Sequence, residues 1–171
     1  MKGSLIAVGT PYGQRKEGII SGTPKPGTHM QVKTAVEPVG GRPTWEAFSP
    51  ATGGGPSLGG DGVPGLIAVL DLDDLQGFGF NTSYVSGRQG AVWVPLPGDE
   101  CNLRKADIAG TGTATEDLAI GDRLLVVQGT GFISKVAVGL VASPVAYPWQ
   151  ALETLVDQPA ETLVHCLRTG Q

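Results

Sequence analysis

The apolar positions of this chain come in short runs, cut at close intervals by Gly, Pro and Asp. Leu66 to Leu70 reads Leu-Ile-Ala-Val-Leu. Ala91 to Leu96 is a second run, ended by Pro95 and the turn Pro97-Gly98-Asp99. Arg123 to Gln128 and Phe132 to Ala142 flank a Gly-Thr-Gly turn. Runs of this length between turn residues predict buried strands. His29 to Val36 alternates instead, with Met30, Val32 and Thr34 on one face and Gln31, Lys33 and Ala35 on the other. Cys101 to Lys105 and Leu163 to Arg168 read as further strands, and Trp149 to Val156 fits either a helical turn or a strand. Strands recurring with turn signals every 8–12 residues or so predict a sandwich or barrel. No strand–helix–strand rhythm points to a parallel α/β sheet. The expected fold class is all-β with little helix.

The pattern also divides the chain. Residues 1–27 hold no sustained period and are punctuated by Gly and Pro, so they are expected to form a flexible N-terminal arm. Residues 28–171 are expected to be a single β-rich domain interrupted by a long Gly/Pro loop at 38–65. Trp45 and Phe48 sit in that loop and either pin it to its own domain, the favoured reading, or dock on a partner. Gly98-Asp99 and Gly121-Asp122 form a local repeat in which each pair introduces a strand. Glycine supplies unusual backbone angles there and Asp bonds nearby backbone amides.

Composition narrows the function classes. In 171 residues, 27 Gly and 13 Pro imply many turns, and charged residues are only 16%, well under the usual share of about 25%. The net charge of −4 and the lack of a basic block argue against nucleic-acid binding. No apolar run is long enough for a membrane span. Cys101 and Cys166 are the only cysteines; in a reducing cytosol the expected state is two buried thiols.

Candidate chemistry mostly fails on spacing. Asp71, Asp73 and Asp74 lack the Gly and Glu positions of a calcium loop. His29 and His165 are too far apart in the chain for a zinc motif, and no Cys-x-x-Cys occurs. His165 and Cys166 are neighbours on an expected strand, so their side chains point to opposite faces and cannot act as a base–nucleophile pair. None of the Gly-Thr stretches continues into a phosphate loop. Neither an enzyme activity nor a cofactor is expected.

Ile120-Gly121-Asp122 leading into Leu124 to Val127, the turn at Gly129 to Gly131, Val136 to Val141, Ala151-Leu152-Glu153 and the closing Leu163 to Leu167 together resemble the head decoration, or cement, proteins of tailed bacteriophages. The Pro-x-Pro-Gly-Thr turn at 24–28 resembles the opening of such a domain. The resemblance covers about residues 91–171. It implies a compact β-barrel or β-sandwich body, β-tulip-like, assembled as a homotrimer. Such a body is made in the host cytoplasm and carried on the outer capsid surface of the virion. The implied partner is the major capsid protein, and the role is to stabilise the head by bridging its subunits. The arm residues expected to make that contact are Leu5, Ile6, Val8, Tyr12, Arg15, Lys16, Ile19 and Ile20, with Trp45 and Phe48 as loop contacts. The alternative is a phage tail or receptor-binding β module using Tyr12, Tyr84 and Trp45 on host sugars. A third reading is a small hydrolase built on Cys101 or His165.

Overall fold

The computed structural model describes residues 6–8, 12–33, 38–48, 68–72, 79–106, 117–126, 130–135, 149–159 and 161–169, and no helix occurs among them. The strands in chain order are β1 (Ala7–Val8), β2 (Gln14–Ile20), β3 (His29–Val32), β4 (Thr44–Ala47), β5 (Ala68–Leu70), β6 (Gln89–Val94), β7 (Glu100–Arg104), β8 (Arg123–Val126), β9 (Ile133–Lys135), β10 (Trp149–Ala151) and β11 (Leu163–Arg168). The expected all-β class is what the chain adopts.

Five of these strands close a barrel in the order β2-β4-β3-β5-β6. A ring with an odd number of strands cannot alternate direction all the way round. Here β2 and β4 are the parallel pair, matched at Ile19↔Thr44 and Ile20↔Trp45, and the other pairs are antiparallel. Ile20, Met30, Trp45, Ala68, Leu70, Tyr84 and Val92 fill the interior. Side chains alternate along β5 and β6, so Val69 and Trp93 point the other way, into a second core. These two strands are buried on both faces, which explains why their sequences are continuously apolar rather than alternating.

The remaining strands form a sheet in the order β1-β7-β11-β10-β8-β9. Just past β7, Lys105 makes a parallel bridge to Ile133 of β9, so the circuit β7-β11-β10-β8-β9 returns on itself while β1 stays at the edge of β7. Its core contains Cys101, Leu103, Leu124, Ile133, Trp149, Ala151, Val164 and Cys166, together with Val69 and Trp93 from the barrel.

A short backbone segment joins the two bodies. The Gly27 carbonyl accepts from the Arg104 N–H at 3.1 Å, and the His29 N–H donates to the Gly131 carbonyl at 2.8 Å. Gly27–His29 is therefore held on one side by the strand that carries Arg104 and on the other by the turn before β9. The approach is close: a Cβ on Gly131 would lie 2.5 Å from the His29 carbonyl oxygen, and its φ of +69° also favours glycine. Arg104 reinforces the junction. Its buried guanidinium donates to the carbonyls of Pro26 (2.7 Å), Glu161 (2.7 Å) and Phe80.

The domain boundaries expected from sequence are corrected in two places. Residues 14–20 are not arm but β2, a barrel strand paired along its length with β6. Glycine and charge obscured it: Gly18 is small because the Trp45 indole lies over it, and Gln14 to Glu17 face outward. The expected loop at 38–65 contains β4, which pairs with β3 and β2; residues 49–65 lie outside the described residues. The observed β3, β5, β8 and β9 are shorter than the expected strands: Lys33 and Phe132 lie just outside β3 and β9, and the other remaining residues are outside the described set. Trp149 to Val156 resolves as a short strand, β10, followed by irregular chain.

Candidate partner-binding surface

The turn Leu96–Asp99 positions the most exposed aromatic of the described residues. Gly98 takes a φ of +93° and the Asp99 N–H closes on the Leu96 carbonyl at 3.0 Å. The Asp99 carboxylate is buried and accepts from three backbone N–H groups, those of Leu96 (2.8 Å), Gly13 (2.8 Å) and Tyr12 (2.5 Å). A carboxylate satisfied in this way is a rigid fastener. It locks residues 12–13 against the turn and leaves the Tyr12 side chain outside. Tyr12 is 74% exposed and Leu96 46%, and Pro97 beside them is exposed.

The surface continues along β2. Gln14, Arg15, Lys16 and Glu17 are exposed, and this half of the strand pairs with β6 while β4 joins only at Ile19. Arg15 leans back so that its Nε lies 3.0 Å from the buried carboxylate of Asp71. The patch is thus an aromatic and aliphatic tip next to a strand whose cations alternate, Arg15 held against Asp71 and Lys16 on the opposite face, with no second strand partner at 14–17 among the described residues. Such a patch suits a macromolecular partner: apolar anchors provide contact area and an open strand edge offers backbone hydrogen bonds.

The structure separates the residues expected to bind a partner. Tyr12, Arg15 and Lys16 are all exposed along this stretch, with Arg15 and Lys16 on opposite faces of β2. Val8 is half-buried on the edge strand β1, opposite Glu100, and Ile19 is half-buried in β2. Ile6 and Ile20 are fully buried in the two cores, and Trp45 and Phe48 are buried as well. Ile6 and Ile20 are therefore corrected from partner contacts to packing residues; Trp45 and Phe48 are corrected as loop contacts in favour of the preferred reading, that they pin their own segment. For Trp45 the cause is the Gly18 gap, which its indole fills. Leu5 lies outside the described residues. Leu96 and Pro97 were not singled out from sequence, because Pro97-Gly98-Asp99 signalled only a turn. Of the aromatics proposed to contact sugars, Tyr84 and Trp45 are each 1% exposed, leaving Tyr12 alone.

Cys101 and Cys166 face each other across β7 and β11 as free, buried thiols. Burial pushes Cys101 up to about 12 and Cys166 well above its usual value, so neither is a nucleophile at neutral pH. His165 Nε2 lies 2.9 Å from a Glu100 carboxylate oxygen on the outer face of the sheet. No group of three or more His, Cys, Asp or Glu is placed to hold a metal ion among the described residues; Asp73 and Asp74 lie outside them. A cleft of about 480 Å³ opens where the barrel meets the second sheet, lined by the hydroxyls of Ser21, Thr23, Ser83 and Thr130, by Phe132, and by the Lys25–Glu161 ion pair. No protein-family model matches the chain, and no curated protein matches it.

Proposed function

We propose that this protein is a structural component of a phage virion, a homotrimer that binds the outside of an icosahedral head and bridges subunits of the major capsid protein. The observation that carries this reading is the Tyr12–Leu96 surface, an apolar tip with the cations Arg15 and Lys16 beside it, fastened by the buried Asp99 carboxylate to an all-β body. The resemblance of residues 91–171 to head decoration proteins supports the same reading. Each site would be weak alone, but a trimer engaging several capsid subunits at once gains affinity through effective concentration.

The test is binding of the purified protein to decoration-free heads, read as copies per head after sedimentation. Saturation at hundreds of copies is expected, with a lower apparent affinity for Tyr12→Ala and for Leu96→Ala. A few copies per particle would instead place the protein in the tail. Occupancy unchanged by both substitutions would remove this surface from the interface. Any truncation test must stop short of Ile6, because Ile6 and Ala7 are buried in the second core and β2, from Gln14, is needed to close the barrel.

A further inference from the structure

Strands β7 to β11 of the second sheet repeat the circuit of the first, with β1 added at the edge of β7. In the first, β2, β3, β4, β5 and β6 form a ring in which β2 touches β6, β6 touches β5, β5 touches β3, β3 touches β4, and β4 returns to β2 in parallel. In the second, β7 touches β11, β11 touches β10, β10 touches β8, β8 touches β9, and β9 returns to Lys105 in parallel. Chain order and direction match at every step.

The registers match as well. With His29 set on Arg123, the pair His29↔Val69 becomes Arg123↔Gln150, Val69↔Trp93 becomes Gln150↔Leu167, and Met30↔Ala47 becomes Leu124↔Lys135. The parallel contact Ile20↔Trp45 becomes Lys105↔Ile133. In a closed ring these registers fix the stagger of the strands, so the agreement around the whole circuit is one shared geometry rather than independent coincidences.

Hydrogen bonds outside the ladders repeat in the same places. Thr28 N–H to Lys25 O and Gly27 N–H to Leu70 O recur as Asp122 N–H to Ala119 O and Gly121 N–H to Ala151 O. Ser21 N–H to Trp45 O recurs as Ala106 N–H to Ile133 O. Gly87 N–H to Ile20 O recurs as Glu161 N–H to Lys105 O, and Arg88 N–H to Val85 O as Thr162 N–H to Pro159 O. Gly27 and Gly121 share a φ near +90°. Glu161, one of two non-glycine residues of positive φ among those described, stands where the first ring has Gly87, also of positive φ.

The interiors have diverged by exchanging volume, which hides the repeat from the sequence. Trp45 and Ala68 of the first ring become Ile133 and Trp149 in the second. Gly18 and Gly90, small beneath large side chains, become Leu103 and Val164.

One contact differs, and it points to a surface. In the first ring the Ile19 N–H bonds directly to the Pro43 carbonyl at 2.9 Å. Their counterparts in the second ring are Arg104 N–H and Gly131 O, and between these lies the Gly27–His29 segment of the first ring, bonded to both. One ring thus wedges its Pro26–His29 turn into the seam of the other. The second ring has an equivalent turn, Ile120–Arg123, which faces outward: Ile120 is 68% exposed and Gly121 and Arg123 are exposed, whereas Gly27, Thr28 and His29 are buried. We propose that the chain is a tandem repeat of one five-stranded barrel, and that the Ile120–Arg123 turn is a docking surface for the first repeat of another copy of this chain. The contact is head-to-tail, so it generates rings or chains of molecules rather than two-fold dimers.

The proposal does not rest on the capsid reading and is tested on the full-length protein alone. Sedimentation velocity from micromolar to millimolar concentration should show concentration-dependent assembly. Ile120→Asp should shift the midpoint by about tenfold or more while leaving the circular dichroism spectrum and Tm unchanged. Val156→Asp, the same kind of change at an exposed valine that belongs to neither proposed surface, should leave assembly intact. A wild-type protein that stays monomeric across the range overturns the proposal, as does assembly indifferent to Ile120→Asp or equally weakened by Val156→Asp.

Discussion

His29 is fully buried where the barrel meets the second sheet. Its Nδ1 lies 3.0 Å from the Gly131 carbonyl oxygen, and its ring meets Trp149 edge-on with centroids 5.6 Å apart. Burial lowers its pKa from 6.5 to about 4, partly opposed by the bond to Gly131 and assisted by the nearby charge of Arg168. The unfolded chain therefore binds a proton near pH 6.5 that the folded protein refuses until about pH 4. The stability held by neutral His29 is complete above pH 6.5 and is lost as pH falls toward 4, a total of about 3 kcal/mol. Urea unfolding at pH 7 and pH 4.5 should show this loss in the wild type. His29→Phe keeps the ring contact and should lose distinctly less over the same interval. Equal losses in both proteins would assign the acid sensitivity elsewhere. Arg104 gives a prediction of a different kind. Its three carbonyl acceptors need a planar fork of donors, so Arg104→Lys should not rescue the loss of about 3 kcal/mol or more expected for Arg104→Leu. Rescue by lysine, measured by chemical unfolding, would mean that charge matters there and geometry does not.

At the scale of elements, glycine decides where strands can meet. A Cβ on Gly18 would lie 2.4 Å from the Trp45 indole and 2.5 Å from the Pro43 carbonyl oxygen. Gly18→Ala should therefore cost about 1–3 kcal/mol through overpacking. Gly40→Ala, at positive φ but with open space around it, should cost about 1 kcal/mol through the backbone alone. A Gly40 variant as unstable as the Gly18 variant, compared by thermal unfolding, would contradict the packing argument. The same glycine shows what the sequence could reveal. β5, β8, β11 and the turns at Gly98 and Gly121 were legible because apolar runs and Gly-Asp signals lie side by side in the chain. β2 was not, since four exposed polar residues precede a glycine whose reason for being small is a tryptophan in another strand. Trp45 and Phe48 could be anticipated as anchors of their own domain, but Ile6 and Ile20 could not be told from partner contacts until the rings were closed. The Tyr12 surface was half visible. Tyr12, Arg15 and Lys16 stood out, while Leu96 joins them only because the Asp99 carboxylate ties two distant segments together.

At the scale of the whole molecule, the two rings share one junction, and its strength determines whether they unfold together. Val69 and Trp93 project from the first ring into the core of the second, and Gly27–His29 is bonded on both sides within the second ring's seam. Each ring has its own apolar interior, so the seam is the part whose failure would separate two bodies without emptying either core. Gly131→Ala is the sharpest way to break it: the added methyl meets the His29 carbonyl at 2.5 Å and the Thr28 methyl at 2.8 Å, at a φ that already disfavours alanine. The wild type should unfold in a single calorimetric transition whose calorimetric and van't Hoff enthalpies agree. Gly131→Ala should split that transition in two, with the near-ultraviolet tryptophan signal lost in two steps because Trp45 lies in the first core and Trp93 and Trp149 lie in the second. Met30→Ala, a cavity inside the first ring, should instead lower Tm by several degrees without splitting the transition, as expected when a core defect is shared through an intact seam. A Gly131 variant that unfolds in one step at lower temperature would show that the cross-packing of Val69 and Trp93 suffices to couple the rings.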